Sequence, residues 1–241
     1  MSIDVVDRTD GGHPSVSSEQ QAPPRRGPLQ RVRTVAVRSV AALVLFLLVG
    51  NGLIMASMAW FRLTGPAVAE VPTGIDNLRW VDSQVLRGAA PSDQGIRNLH
   101  DAGVTTIVDL RAEADLDTDE DLLAELGMVR YHLPIRDGQL PSEEQAARFL
   151  EIVDAADGAV YVHCGAGVGR TGAMSAFYLN ATGQTSGTAA LERNLSVGPP
   201  SLEQIVFSLQ TSDGDYDRPG FGITAMSRVL DAPRRIWHNV T

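Results

Sequence analysis

The stretch Ala159-Val160-Tyr161-Val162-His163-Cys164-Gly165-Ala166-Gly167-Val168-Gly169-Arg170-Thr171-Gly172 decides how this chain is read. Its first five residues are an apolar run that stops at Cys164, which predicts a buried strand. From Gly172 to Asn180 the residues suit a helix. The arrangement is therefore strand, tight glycine-rich loop, helix. Gly165, Gly167 and Gly169 let the backbone curl until several N–H groups point at one centre, and such a nest at a helix N-terminus holds an anion. Arg170, six residues after Cys164, can close the ring with a planar fork that bonds two phosphate oxygens. The same positive field favours thiolate over thiol at Cys164. A thiolate facing phosphorus is a nucleophile set for in-line attack. A buried structural cysteine beside an incidental glycine turn is the plain alternative. A Walker A loop is excluded because no Gly-Lys-Ser/Thr follows, and a dinucleotide fingerprint has no use for a Cys-x5-Arg spacing.

Working outward, strand-like and helix-like stretches alternate over residues 74–211, which predicts an α/β domain with a largely parallel central sheet. Residues 104–110 (Val-Thr-Thr-Ile-Val-Asp-Leu) and 128–133 read as further strands, the second ended by Pro134. Ser92 suits the cap of a helix over 93–102. Ser142 with Gln145, and Ser201 with Gln204, have the spacing of capping boxes and open helices over 143–156 and 202–210. Residues 185–195 read as another helix. Residues 212–241 read as a loosely packed tail with one short helix near 222–230.

The Cys164-to-Arg170 pattern resembles the C-x5-R active-site loop of the protein-tyrosine and dual-specificity phosphatases. His163, Cys164, Gly167, Arg170 and Thr171 fill its defining positions, while Gly165 departs from a commoner serine. The resemblance implies a three-layer, tyrosine-phosphatase-like domain with helices flanking the sheet. It also implies roles. Cys164 forms a phosphocysteine; Arg170 and the backbone of Gly165, Ala166, Gly167, Val168 and Gly169 bind phosphate; Thr171 bonds the sulfur. His163 orients the loop and tunes the thiolate. The general acid is expected at Asp137, in Leu133-Pro134-Ile135-Arg136-Asp137-Gly138-Gln139-Leu140-Pro141, which is similar to the acid loop of dual-specificity and related bacterial phosphatases. A solvated turn aspartate is the bland reading of Asp137. Asp109, Asp154 and Asp157 are weaker candidates. Leu86-Arg87-Gly88-Ala89-Ala90-Pro91-Ser92 resembles the Tyr-Arg-Ser-x-Gln-Pro-Ser opening of atypical dual-specificity enzymes. Gln204 is either a water-positioning residue or simply the capping-box glutamine.

Residues 39–61 (SVAALVLFLLVGNGLIMASMAWF) carry no charge, and 23 residues at about 1.5 Å each cross a hydrocarbon core of about 30 Å. A single-pass signal-anchor helix over 32–61 is expected, after a disordered tail (1–31) and before a linker (62–73). Arg25, Arg26, Arg31, Arg33 and Arg38 precede the span and only Arg62 closely follows it. The positive-inside rule then puts the N-terminus in the cytoplasm and the catalytic domain outside the cell membrane. Cleavage near Ala69 and secretion is the alternative.

All 20 basic residues are arginine, against 29 acids, for a net charge of −9. That balance excludes nucleic acid as an expected partner. One cysteine permits no internal disulfide, and His13, His100, His132, His163 and His238 are scattered, so neither cofactor nor metal is expected. Three functions compete: hydrolysis of a phosphorylated protein, phosphotyrosine above all; hydrolysis of a lipid or small phosphomonoester by the same chemistry; and a non-catalytic phosphate-binding module. No Lys-Asn-Arg-Tyr-like loop marks a deep phosphotyrosine slot. A loop without basic residues in 165–169, on an acidic domain, disfavours highly charged headgroups.

Overall fold

The computed structural model describes residues 28–64, 74–112, 120–211 and 215–240. Residues 1–27 of the expected tail over 1–31, the site near Ala69 and residues 65–73 of the linker lie outside the described residues, while 28–31 belong to a helix. The chain falls into two units, Met1–Leu43 and Val44–Thr241. Helix α1, Pro28–Thr64, is longer at both ends than the expected span of 32–61. It opens on a proline, which the first helical position tolerates because that N–H is unpaired anyway. Among the described residues it is the one helix long and apolar enough to cross a membrane.

The domain follows as β1 (Arg79–Trp80), β2 (Val85–Gly88), α2 (Asp93–Asp101), β3 (Val104–Arg111), α3 (Glu120–Leu126), β4 (Val129–Ile135), α4 (Glu143–Ala155), β5 (Ala159–His163), α5 (Gly169–Ala181), α6 (Gly187–Val197), α7 (Leu202–Gln210) and α8 (Phe221–Val240). The sheet order is β1-β2-β5-β3-β4, with every pair parallel except β1 with β2. Alternation along β5 and β3 makes three layers. Val160, Val162, Val108 and Leu110 face a core with Phe149, Val153, Met174 and Leu179 of α4 and α5. Tyr161 and Ile107 face the opposite core with Ile96 and Leu99 of α2 and Leu122 and Leu123 of α3. This is the α/β, largely parallel, helix-flanked architecture that the sequence predicts.

β5 lies inside the sheet between β2 and β3, so its carboxyl end opens where neighbouring strands connect away from it. That is where open α/β sheets place ligands. The tail is not loosely packed as expected. Tyr216 stacks edge-on against Phe177 and Phe207. On α8, Ser227 Oγ accepts from the Glu203 N–H at 3.0 Å, and Thr224 Oγ1 donates to Glu203 Oε1 at 3.2 Å. Polar contacts thus fix this helix to the start of α7.

Candidate active site

The loop between β5 and α5 is held by its carbonyls. The Gly165 carbonyl accepts from the Ala90 N–H at 2.9 Å. That of Ala166 accepts from Asn77 Nδ2 at 2.9 Å, and those of Gly167 and Val168 accept from Arg87 Nη2 at 2.9 and 3.2 Å. Four successive carbonyls are therefore bonded outward. No backbone N–H from Gly165 to Gly169 donates to another described residue. Helix α5 begins at Gly169 with no side-chain cap, which leaves its first-turn N–H groups open as well. Together these make the anion nest expected from the glycines.

Gly167 has φ +69°, and a Cβ there would overlap the Gly88 carbonyl, so no other residue fits. A Cβ on Gly169 would lie 2.6 Å from Gln204 Oε1. The loop thus abuts both β2 and α7.

Arg87 makes this geometry possible. It is 4% exposed. Besides the two loop carbonyls it donates from Nη1 to Asn194 Oδ1 at 2.5 Å. Asn194 Nδ2 in turn donates to the Gly172 carbonyl at 2.9 Å, tying α6 to α5. Burial pulls the Arg87 guanidinium down to about 10, still charged at neutral pH.

Cys164 is buried at the end of β5. Arg170 is buried too, and its Nη1 donates to the Ile135 carbonyl at 3.0 Å, at the end of β4. Its Nη2 lies 3.6 Å from Asp137 Oδ1, whose side chain is 53% exposed. The fold brings Cys164, the loop, Arg170 and Asp137 to one edge of the sheet.

The acid-loop segment is pinned along its length. Gln145 Nε2 donates to the Pro134 carbonyl at 2.8 Å, Ser201 Oγ to that of Gly138 at 3.3 Å, and Gln204 Nε2 to that of Gln139 at 3.1 Å. Tyr216 OH donates to the carbonyl of Pro141. Both ends of the Gln204 amide are engaged, because its Oε1 accepts the Ser201 N–H at 2.9 Å. The capping-box reading of Gln204 is the one its bonds support.

One expectation needs correction: Thr171 Oγ1 does not bond the Cys164 sulfur; it is buried with no hydrogen-bond partner among the described residues. His163 sits directly before Cys164, at the start of the loop. It is sealed in, its Nδ1 bonds the Cys164 carbonyl at 3.2 Å, and its ring stacks on Tyr161. Burial lowers its pKa to about 4, although Asp109 lies 3.9 Å from Nε2 and works in the other direction. A neutral imidazole orients the loop but lends no full charge. Asp109 is committed elsewhere: burial raises its carboxyl, but Arg111, bonded at 2.8 Å, and His163 outweigh that and hold it below the ordinary range. Asp109 is thereby removed as a general acid. Among the described residues no cluster of His, Cys, Asp and Glu could hold a metal.

Sequence reasoning missed Arg87, Asn194 and Asn77 as loop holders. Arg87 sat inside the quoted Leu86–Ser92 motif without a role. The two asparagines lie 89 positions before and 22 positions after their carbonyl partners, and nothing local marks them.

The family model described as "PTP-NADK: DSP-PTPase phosphatase fused to NAD+ Kinase" matches residues 73–208. The dual specificity protein phosphatase CDC14C of Homo sapiens is 33% identical over 124 residues, covering 48% of this chain and 27% of that protein. CDC14A of Mus musculus is 43% identical over 79 residues, covering 32% of this chain and 12% of that protein. The chain thus spans only a minor part of the length of these relatives. The core catalytic domain of the PP-IP phosphatase SIW14 from S. cerevisiae, solved in complex with citrate, shares the fold with TM-score 0.50 at 17% identity, over 70% of this chain and 96% of that one. The family match takes in more than half of the chain and the whole site from Asn77 to Gln204, and this chain belongs to the dual-specificity/tyrosine phosphatase family.

Proposed function

We propose that the domain hydrolyses phosphate monoesters, phosphotyrosine in proteins among them, through a phosphocysteine at Cys164. The observation that carries this reading is the outward bonding of the four carbonyls from Gly165 to Val168. It leaves a ring of N–H donors around one centre, with a cysteine at its start and Arg170 at its end. In the first step the sulfur attacks phosphorus, the S–P bond forms and the P–O bond breaks. The leaving oxygen takes the proton of Asp137. Arg170 and the N–H groups stabilise the equatorial oxygens, whose charge is greatest in the transition state. In the second step water attacks the phosphocysteine, Asp137 accepts its proton, and inorganic phosphate leaves with the thiolate restored. No cofactor enters either step.

Cys164→Ser is expected to abolish turnover while inorganic phosphate still binds; retained turnover defeats the mechanism. Asp137→Ala is expected to lower kcat about 10²–10³-fold for alkyl phosphates and least for aryl phosphates with good leaving groups. An equal loss across leaving groups removes Asp137 as the acid.

The same proposal includes place. Helix α1 anchors the chain in the cell membrane, with the N-terminus cytoplasmic and the domain on the far side. The length and apolar character of α1 and the five arginines just before its uncharged stretch 39–61 support this.

A further inference from the structure

A cavity of about 640 Å³ is lined in part by residues that hold the loop between β5 and α5. Arg87, which holds that loop, forms part of its wall together with Arg79, Arg193 and Asn194. Most of the remaining lining is apolar, including Trp80, Val81 and Leu179. Glu192 is the one acidic residue lining it. Neither Arg79, Arg87 nor Arg193 pairs with a carboxylate among the described residues. The Arg193 Nη1 bond goes to the Val81 carbonyl at 3.2 Å. Arg87 Nε is buried with no hydrogen-bond partner among the described residues. At Arg79, burial and then the nearby Arg62 make the charge less favourable than in water, a deficit that an anion in the cavity would relieve.

Arg79 and Arg193, two cations with no carboxylate partner among the described residues, beside a largely apolar wall suit an anion that carries a hydrocarbon tail. A small hydrophilic anion would leave the wall of Trp80, Val81 and Leu179 wet. The end of α1 says where such a molecule comes from. Phe61 and Thr64, the latter the last residue of α1, line the same cavity. With α1 in a bilayer, the cavity opens where the helix leaves the hydrocarbon, at the depth of lipid phosphates.

We propose that this cavity binds an acidic phospholipid, its phosphate between Arg79 and Arg193 and an acyl chain along Trp80, Val81 and Leu179. The inference rests on the membrane anchorage proposed above and not on the cysteine chemistry.

The test uses the full chain in phosphatidylcholine nanodiscs with Trp60→Phe and Trp237→Phe, which leaves Trp80 as the only tryptophan. Soluble dihexanoyl phosphatidylglycerol, a diester, is titrated while Trp80 fluorescence is read. A saturable change is expected, at least about 10-fold weaker in Arg79→Gln and in Arg193→Gln, the loss that one charge-assisted bond represents. Dihexanoyl phosphatidylcholine producing the same titration overturns the proposal, as does an unaltered titration in both arginine variants. Decanoate binding as tightly as the phosphatidylglycerol overturns the assignment to a lipid phosphate. The Cys164→Ser variant is expected to bind the lipid unchanged, so loss of the catalytic mechanism and loss of this site give different results.

Discussion

Arg87 joins three segments through one guanidinium: the loop at Gly167 and Val168, helix α6 at Asn194, and its own strand β2. Replacing it with glutamine leaves buried acceptors that the shorter amide cannot all reach. Arg87→Gln is expected to cost on the order of 2–4 kcal/mol of unfolding free energy. It is also expected to raise KM for aryl phosphates together with a fall in kcat, because the nest loses its shape in the ground state and the transition state alike. An unchanged KM would show that the loop holds itself. His163 bears on pH. Its folded pKa, about 4, lies below the ordinary 6.5, so between these values the unfolded chain binds the extra proton. The stability concerned is fully present above about pH 6.5 and is lost as the pH falls towards 4, roughly 3 kcal/mol in all. Asp109, held low by Arg111, gives way only in a separate window below the ordinary carboxylate pKa. Denaturant unfolding between pH 7 and pH 4 should therefore show a steeper loss in the wild type than in His163→Gln; equal slopes would refute a neutral buried imidazole. That Cys164, Arg170 and Asp137 come together was legible in the sequence because each belongs to a local pattern around Cys164 or Pro134. The loop holders were not, because a carbonyl-to-side-chain bond across 80 residues leaves no trace in spacing.

At the scale of elements, α7 couples the two halves of the site. Its cap, Ser201, accepts the Gln204 N–H at 3.3 Å and donates to the Gly138 carbonyl beside Asp137. Ser201→Ala removes both bonds. The cap alone is worth about 1 kcal/mol, and the looser acid loop is expected to lower kcat for alkyl phosphates several-fold more than for aryl phosphates. The rate at which iodoacetamide alkylates Cys164 should stay the same, since the nucleophile's loop keeps its own bonds. A parallel loss of alkylation would show that α7 supports the whole site and not the acid loop. Strands β3, β4 and β5 and the helices α2, α4 and α7 were readable because apolar runs and serine caps, with a glutamine three residues on at α4 and α7, are local. β1 and β2 were not, being two and four residues long, with Arg79 and Arg87 where a strand pattern calls for apolar side chains. Helix α3 opens on acids and offers only seven residues, too few for a period. The tail misled because Ser227 and Thr224 dock α8 by hydrogen bonds, and polar contacts do not show as an apolar stripe.

Over the whole molecule, charge and hydropathy divide the chain: the uncharged stretch 39–61 with five arginines just before it, then an acidic domain. The anchoring proposed above predicts that a C-terminal reporter active only outside the cytoplasm gives signal, while one active only inside is silent; the reverse pattern overturns the orientation. Within the unit Val44–Thr241, Asn51 Nδ2 donates to the Leu47 carbonyl at 3.0 Å and to the Leu230 carbonyl on α8 at 3.4 Å. Arg228 and Asp231 flank Leu230, and a charge at bilayer midplane costs about 2.5–3.5 kcal/mol. The proposed anchoring therefore predicts that the Leu230 contact is given up in a bilayer, while the Arg62 bonds to the Ser196 and Val197 carbonyls, at the end of α1, are kept. The solitary sulfhydryl has a practical corollary at this scale. Because Cys164 is the only thiol in these 241 residues, a single adduct seen by intact-mass spectrometry is a stoichiometric count of reactive Cys164. Protection of that adduct by vanadate or phosphate would report ligand occupancy without any turnover assay.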